Sequence, residues 1–226
     1  MSRFRTYVVA WAQVDAPAPT PGESVIEWLC AAADSQGGVL LTCGSVQDAV
    51  EMDSRPVPSW LAIAAFGEDE AAKSWVTLAE NHLPATALLA PGQAEPVEWP
   101  QERVANRPEW SRRMAPPADR LGWLVSVWLD VTEFERFLTF STTFKWTVER
   151  HGGAVLGSAI SVVLNGQSGP SAMGLMTFPD RAAARAWDAS AEYRAYRDLR
   201  HASSRATAIG IRTLNPGRVA EVGVLG

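Results

Sequence analysis

The chain has few of the residues from which metal and disulfide sites are built. It contains two cysteines, Cys30 and Cys43, and three histidines, His82, His151 and His201. Two cysteines cannot form a disulfide framework, neither belongs to a CxxC pair, and the histidines show no spacing typical of metal ligands. The sequence therefore predicts a reducing compartment and no metal site, with a His/carboxylate site assembled in space left open as the alternative.

Long apolar runs and net positive charge are lacking as well. No stretch reaches the roughly 20 apolar residues of a membrane span, and the short apolar run near the N-terminus is followed by Gln13 and Asp15, unlike a signal peptide. The formal net charge is −5, so no chain-wide attraction to nucleic acid or to anionic lipid is expected. These absences predict a cytoplasmic protein with no nucleic-acid partner and no membrane partner.

Motifs of nucleophilic catalysis and phosphate binding are also missing. The order of residues shows no Ser-His-Asp arrangement, no nucleophile elbow and no phosphate-binding glycine loop. The glycine pairs at 37–38 and 152–153 are instead typical of helix ends, where glycine adopts the left-handed conformation. Function must therefore be sought in the apolar and aromatic residues.

Those residues are abundant, and they recur along the chain. Hydrophobic residues make up 47% of the sequence, which has ten tryptophans. "FGEDEAAKSW" (66–75) aligns without a gap on "FPDRAAARAW" (178–187), and "SQGGVLL" (35–41) aligns on "RHGGAVL" (150–156). Upstream, "YVVAWAQVD" (7–15) aligns on "GWLVSVWLD" (122–130). The pattern predicts two copies of one unit.

Each copy has the pattern strand, helix, strand, strand, helix, strand, which is the ferredoxin-like arrangement. In the second copy we expect strands at 123–129, 154–164, 172–178 and 206–214, one helix capped by Thr132 and another capped by Asp180, and a hairpin turn at 165–170. The predicted domains are a degenerate first half at 1–92, a proline-rich and charged linker at 93–119, and a second half at 120–226. The fold class is α+β, with two tandem ferredoxin-like halves that cover each other's sheets.

The second half also resembles a known family. "LMTFPDRAAARAWDASAEYRAYRDLR" resembles the dimeric α+β barrel proteins, and within them the domain of unknown function 1330 family, where a strand ending in "EFPS" is followed by "xxAxxWYxSPEYQ" and "LR". The chain departs from that pattern at Thr177, Asp188 and Ala191. The resemblance implies an intrachain dimeric α+β barrel. It implies little about chemistry, because the superfamily includes oxygenases, isomerases, lyases, dehalogenating enzymes, haem enzymes and proteins without known activity.

The helix after Asp180 carries one group of candidate site residues. On a continuous helix Tyr193, Arg197, Arg200 and His201 share one face. Such a face suits an acidic or phenolic ligand, with arginines holding its charge. The alternative is a solvated face on which the arginines pair with neighbouring acids.

The first strands of the two halves carry the second group. Tyr7 and Trp11 share one face of their strand, as Ser126 and Trp128 do on theirs, while the opposite faces are wholly apolar. The mixed faces suit a cavity for a flat aromatic ligand. The alternative is that the tryptophans fill the space between two sheets.

From the resemblance we expect a small-molecule tailoring enzyme that acts on a hydrophobic aromatic, polyketide-like substrate. The first hypothesis is an oxygenase of secondary metabolism (antibiotic biosynthesis) that needs no cofactor or uses reduced flavin supplied from elsewhere. The alternatives are a cyclase or isomerase, and a ligand-binding protein without catalysis. Nothing in the spacing indicates His201 as a haem ligand, and pairing of two chains into a homodimer stays open. The expected catalytic residues are His201, Tyr193 and Arg200, and the expected substrate-binding residues are Trp11, Trp128, Arg197, Tyr196 and Tyr7.

Overall fold

The structure is a computed structural model that describes residues 6–12, 23–52, 57–80, 87–93, 122–160 and 170–214. Gln13, Asp15, His82, nearly all of the predicted linker, most of the predicted turn at 165–170 and the tail after Leu214 lie outside the described residues. No helix in the described ranges has the length and apolarity needed to cross a membrane.

The described chain alternates strands and helices. The first part contains β1 (Thr6–Ala12), α1 (Glu23–Ser35), β2 (Val39–Ser45), β3 (Asp48–Met52), β4 (Trp60–Phe66), α2 (Asp69–Glu80) and β5 (Ala87–Gln93). The second part contains β6 (Trp123–Val131), α3 (Phe134–Thr143), α4 (Lys145–Arg150), β7 (Ala154–Ile160), β8 (Ala172–Phe178), α5 (Arg181–Asp188), α6 (Ala191–His201) and β9 (Ser204–Arg212).

These strands form two sheets whose neighbouring strands are antiparallel. The four-stranded sheet has the order β2-β4-β1-β5, and the five-stranded sheet has the order β3-β9-β6-β8-β7. Strand β3 therefore leaves the part of the chain in which it lies and pairs with β9 at the edge of the other sheet. The fold is α+β, as the alternation of short apolar strands and amphipathic helices predicts.

The two sheets pack face to face over a shared apolar core. Tyr7, Val9 and Trp11 of β1 contribute to this core from one sheet, and Leu124 and Trp128 of β6 contribute from the other. The opposite face of each sheet is covered by helices, with α1 and α2 on one and α3 to α6 on the other. The period-two alternation of the first strands predicts these faces correctly, since Val8 and Val125 lie on the helix-covered sides.

Glycines allow two helices to end close beneath a phenylalanine. Gly37 and Gly152 follow α1 and α4 with φ angles of 68° and 73°, as the predicted helix ends require. The residue after Gly152 is also a glycine, and a Cβ on this Gly153 would lie 2.7 Å from the ring of Phe178. Any side chain at that position would collide with the ring, so the close approach of backbone and ring requires glycine.

Both helical segments of the second part differ from the prediction. The predicted helix after Thr132 is interrupted at Phe144 and forms α3 and α4. Thr132 does not cap it: its hydroxyl donates to the carbonyl of Ser203 at 3.1 Å, and Glu133 occupies the N-cap without a side-chain bond. The helix after Asp180 also divides, because Ser190 caps a new helix by accepting a hydrogen bond from the Tyr193 amide.

Candidate functional site

A small cavity lies between the five-stranded sheet and helices α5 and α6. Its volume is about 20 Å³, which is room for about one water molecule. Six of the nine residues that line it are apolar or aromatic, and three carry polar groups. The lining residues are Val50, Val125, Val127, Ala184, Trp187, Ala208, Asp188, Tyr193 and Arg200.

The joint between α5 and α6 places two aromatic rings at this cavity. Asp180 caps α5 as predicted, since its carboxylate accepts from the Ala183 amide at 2.8 Å. The break at Ser190 then turns the chain so that Tyr193 of α6 contacts Trp187 of α5, with ring centroids 4.1 Å apart and ring planes inclined by 34°. The Trp187 indole also donates to the hydroxyl of Thr147 at 2.8 Å. Both rings are buried.

Besides the carboxylate of Asp188, the cavity is lined by a positive charge, that of the Arg200 side chain. This side chain is 1% exposed, and a guanidinium stays protonated at every accessible pH. The backbone at the end of α6 is held by the hydroxyls of Ser203 and Ser204, which each donate to the Arg200 carbonyl at 3.1 Å. A fixed cation attracts an anion more strongly in an apolar surrounding than in water. The arrangement therefore suits the charged oxygen of an organic anion.

Strand β3 closes one side of the cavity through Val50. The residue two before it, Asp48, accepts hydrogen bonds from Arg181 (Nε, 3.0 Å; Nη2, 3.1 Å) and from Arg185 (Nε, 2.8 Å; also Nη2). Burial alone would raise the pKa of Asp48, but these hydrogen bonds and the two positive charges outweigh it and lower the pKa below its usual value. The ionised carboxylate thus ties β3 to α5, the helix that carries Trp187.

The structure separates the residues that were expected to share one helix face. Tyr193 and Arg200 are buried at the cavity, whereas His201 is exposed at the end of α6. Arg197 is half-buried and is not among the cavity residues. Tyr196 is half-buried and meets the ring of Trp146 edge-on, with centroids 5.9 Å apart.

The expected aromatic residues of β1 and β6 lie elsewhere, in the core between the sheets. Trp11 and Trp128 contact each other there, with ring centroids 4.9 Å apart, and they are 8% and 2% exposed. The Trp128 indole donates to Ser126 at 2.9 Å. The Tyr7 hydroxyl donates to the Leu156 carbonyl across the core at 2.8 Å, and burial raises its pKa. These tryptophans fill the space between the sheets, on the opposite face of the five-stranded sheet from the cavity.

Comparison with known proteins supports the fold and leaves the chemistry open. Residues 122–214 match the family model described as Domain of unknown function (DUF1330). The chain has the fold of the dimeric α+β barrel superfamily. A mutant chlorite dismutase from Candidatus Nitrospira defluvii is 10% identical, with a TM-score of 0.52 over 98% of this chain and 95% of that one. The dye-decolorizing protein from V. cholerae is 8% identical, with a TM-score of 0.57 over 98% and 97%. No curated protein matches the chain.

Because the superfamily includes haem enzymes, we tested whether the described residues fit such a group. His201 is exposed, and Nδ1 of His151 lies 3.0 Å from the Thr147 carbonyl, so neither imidazole points into the cavity. Within the described ranges no three His, Cys, Asp or Glu side chains cluster as metal ligands. These residues do not fit a haem.

Sequence reasoning missed Trp187, Asp188 and Val50 as cavity residues. Trp187 and Asp188 stand in the segment that resembles the family motif, and that resemblance was a signal that could have marked them as site residues. Val50 had no such signal, because "QDAVEM" is a weak strand pattern whose partner strand lies about 160 residues further along the chain.

Proposed function

We propose that the protein is an enzyme that binds a small hydrophobic organic anion, a phenolate or an enolate, in the cavity of the five-stranded sheet. The buried charge of Arg200 in a largely apolar cavity is the observation that carries this proposal. A phenolate or carboxylate oxygen fits beside the guanidinium, since the cavity has room for about one water. The ring of the ligand enters only when the walls move apart.

The cavity residues suit three tasks. Arg200 stabilises the oxyanion, as fixed cations do where negative charge develops. Trp187 and Tyr193 offer aromatic surfaces to the ring of the ligand. Asp188, a carboxylate at the cavity, accepts the proton that the substrate loses, with the Tyr193 hydroxyl as a second candidate for proton transfer. His201 has no part in this proposal because it faces solvent.

Oxygenation of the bound anion is our first hypothesis for the reaction. An electron-rich anion can reduce O2 without a cofactor: one oxygen atom replaces two hydrogens at a ring carbon, and the other leaves with those hydrogens as water. The largely apolar walls support this choice, since they leave little room for water beside the reactive carbanion. Cyclisation or isomerisation would need the same cation and base but no O2, and a binding protein would need neither.

We also propose that the site lies in the second of two tandem ferredoxin-like units. Three observations support the two units. The strand order β2-β4-β1-β5 matches β7-β8-β6-β9 strand for strand, and a Cβ at Gly38 would meet the ring of Phe66 as one at Gly153 would meet that of Phe178. The ring centroids of Phe66 and Trp75 lie 5.8 Å apart, and those of Phe178 and Trp187 lie 5.5 Å apart. Among the described residues, only those of the second unit continue into a helix with a buried arginine. The first unit serves as a scaffold.

Calorimetric binding of benzoate tests the site. We expect Arg200→Gln to weaken binding about 10- to 100-fold, the equivalent of losing a charge-assisted pair of hydrogen bonds, and Arg200→Lys to retain part of the affinity. Arg194→Gln is the matched control, because Arg194 lies exposed on the same helix. Equal affinity in Arg200→Gln and in wild type would remove the assignment.

Oxygen uptake with anthrone tests the reaction. The oxygenase hypothesis predicts one O2 consumed per anthrone converted to anthraquinone, above the rate without protein, and a loss of that excess in Arg200→Gln. Conversion of a phenolic or enolic substrate without O2 uptake would favour the isomerase. Binding without any conversion would favour the ligand-binding protein.

A further inference from the structure

We infer that Val50, which strand β3 carries from the first part of the chain, sets the size of the ligand that the cavity accepts. The use of the cavity rests on the proposed function, but the placement of Val50 does not. The inference makes the site a composite, in which the N-terminal part of the chain selects what the C-terminal part binds.

The register of β3 explains why Val50 reaches the cavity. Asp48 pairs with Gly210 and Ala49 with Ile209, but Glu51 already pairs with Ala208. Val50 is therefore the extra residue of a β-bulge and has no partner in β9. A bulge re-aims the side chain of its extra residue and is common at the edges of sheets and beside binding sites. Here it aims Val50 towards the helix-covered face, where Ala208 also lines the cavity.

Two anchors keep the bulged strand in place. On one side, β3 is hydrogen-bonded to β9 along the edge of the five-stranded sheet. On the other, the Asp48 carboxylate is held by Arg181 and Arg185, one turn apart on α5. Because α5 also carries Trp187, these arginines fix the distance between Val50 and the aromatic wall. The width of the cavity is thus set by residues of both parts of the chain.

The volume of the Val50 side chain is large relative to the volume of the cavity. Val50→Ala removes two methyl groups from the wall of a space that holds about one water. A single methylene in a hydrophobic pocket changes discrimination between ligands by about 10- to 200-fold. Val50 is thus placed to favour smaller ring systems over larger ones when the walls move apart to admit a ligand.

The test compares the affinities of benzoate and 1-naphthoate, measured by calorimetry on the full chain. We expect Val50→Ala to raise the ratio of naphthoate to benzoate affinity at least tenfold, and Val50→Phe to weaken both. Val57→Ala is the matched control: it removes the same atoms, but Val57 packs against the core between the sheets. A naphthoate-to-benzoate ratio that changes less than twofold in Val50→Ala, or equally in Val57→Ala, would overturn the inference.

A second measurement separates this inference from the proposed function. If wild type binds neither carboxylate, the proposed function fails, and benzene becomes the probe of cavity size alone. We expect benzene to shift the Trp187 indole N–H resonance of Val50→Ala, identified by its loss in Trp187→Phe, and to leave that of Val57→Ala unchanged. An unshifted Trp187 resonance in a folded Val50→Ala protein would refute the role of Val50 whatever the natural ligand is.

Discussion

Replacing Asp48 by asparagine removes the charge that ties β3 to α5 while keeping the shape of the side chain. The carboxylate is 4% exposed, whereas Arg181 and Arg185 are 56% and 45% exposed. Hydrogen bonds to charged groups contribute about 1.5–3 kcal/mol each, but half-exposed arginines recover much of their hydration in the variant. We therefore expect Asp48→Asn to lower the free energy of unfolding by about 2 kcal/mol in total.

The effect should depend on pH in a defined direction. The hydrogen bonds from the arginines lower the pKa of Asp48 in the folded state, so the unfolded chain binds the proton more readily than the folded chain does. The stabilisation is then fully present above the ordinary carboxyl pKa of about 4 and is lost as the pH falls through the lowered folded value. Asparagine has no such proton, so the gap between wild type and variant should close in acid.

Urea unfolding of both proteins between neutral pH and pH about 3 measures this gap. Glu70→Gln is the control, since it breaks a pair with Lys73, 2.6 Å long, that is exposed and therefore screened by solvent. A gap at neutral pH no larger than that of the control, or a gap that stays constant into acid, would refute the claim that the ionised Asp48 holds the strand.

The remaining predictions concern the packing between the sheets and beneath the helices. Gly153→Ala should lower the free energy of unfolding by about 2 kcal/mol or more, because its Cβ would lie 2.7 Å from the Phe178 ring, and differential scanning calorimetry would show it. Trp128→Ala should cost about 3–5 kcal/mol yet leave the ratio of naphthoate to benzoate affinity unchanged, since Trp128 lies on the other face of its sheet. Burial and the neighbouring Cys30 raise the pKa of the Cys43 thiol to about 12, although a hydrogen bond with the Trp60 indole acts in the opposite direction. Iodoacetamide at pH about 8 should therefore label Cys30 well before Cys43.

Local signals predicted the elements whose causes are local. The glycine pairs end their helices, Asp180 caps α5, and β8 spans the residues expected of it. The two faces of β1 and β6 follow from period-two alternation alone. These features depend on the backbone preferences of one residue or on the polarity of its neighbours, which the sequence states directly. The copies themselves, and the boundaries at 92 and 120, stay predictions.

The helices were harder because their continuity depends on competition between two local preferences. "WDASAEYRAY" has the periodicity of one helix, yet Ser190 offers its hydroxyl to the Tyr193 amide and begins a second. Serine competes with helical hydrogen bonding in this way at many positions, and tertiary packing decides the outcome. Here the break is stabilised by the packing of Tyr193 on Trp187, a contact that a continuous helix face does not contain.

The composition of the cavity follows from pairing that no local pattern contains. Val50 reaches it because β3 pairs with β9 rather than with a strand of its own sheet, and because a bulge displaces the register by one residue. A slip of one residue would send Val50 to the opposite face, where Ile209 packs in the core between the sheets. The ion pairs of Asp48 oppose such a slip, since only one register brings its carboxylate to α5. The same contacts that fix the fold therefore determine which side chains surround Arg200, and for this reason the site can be changed through a strand that lies far from it in sequence.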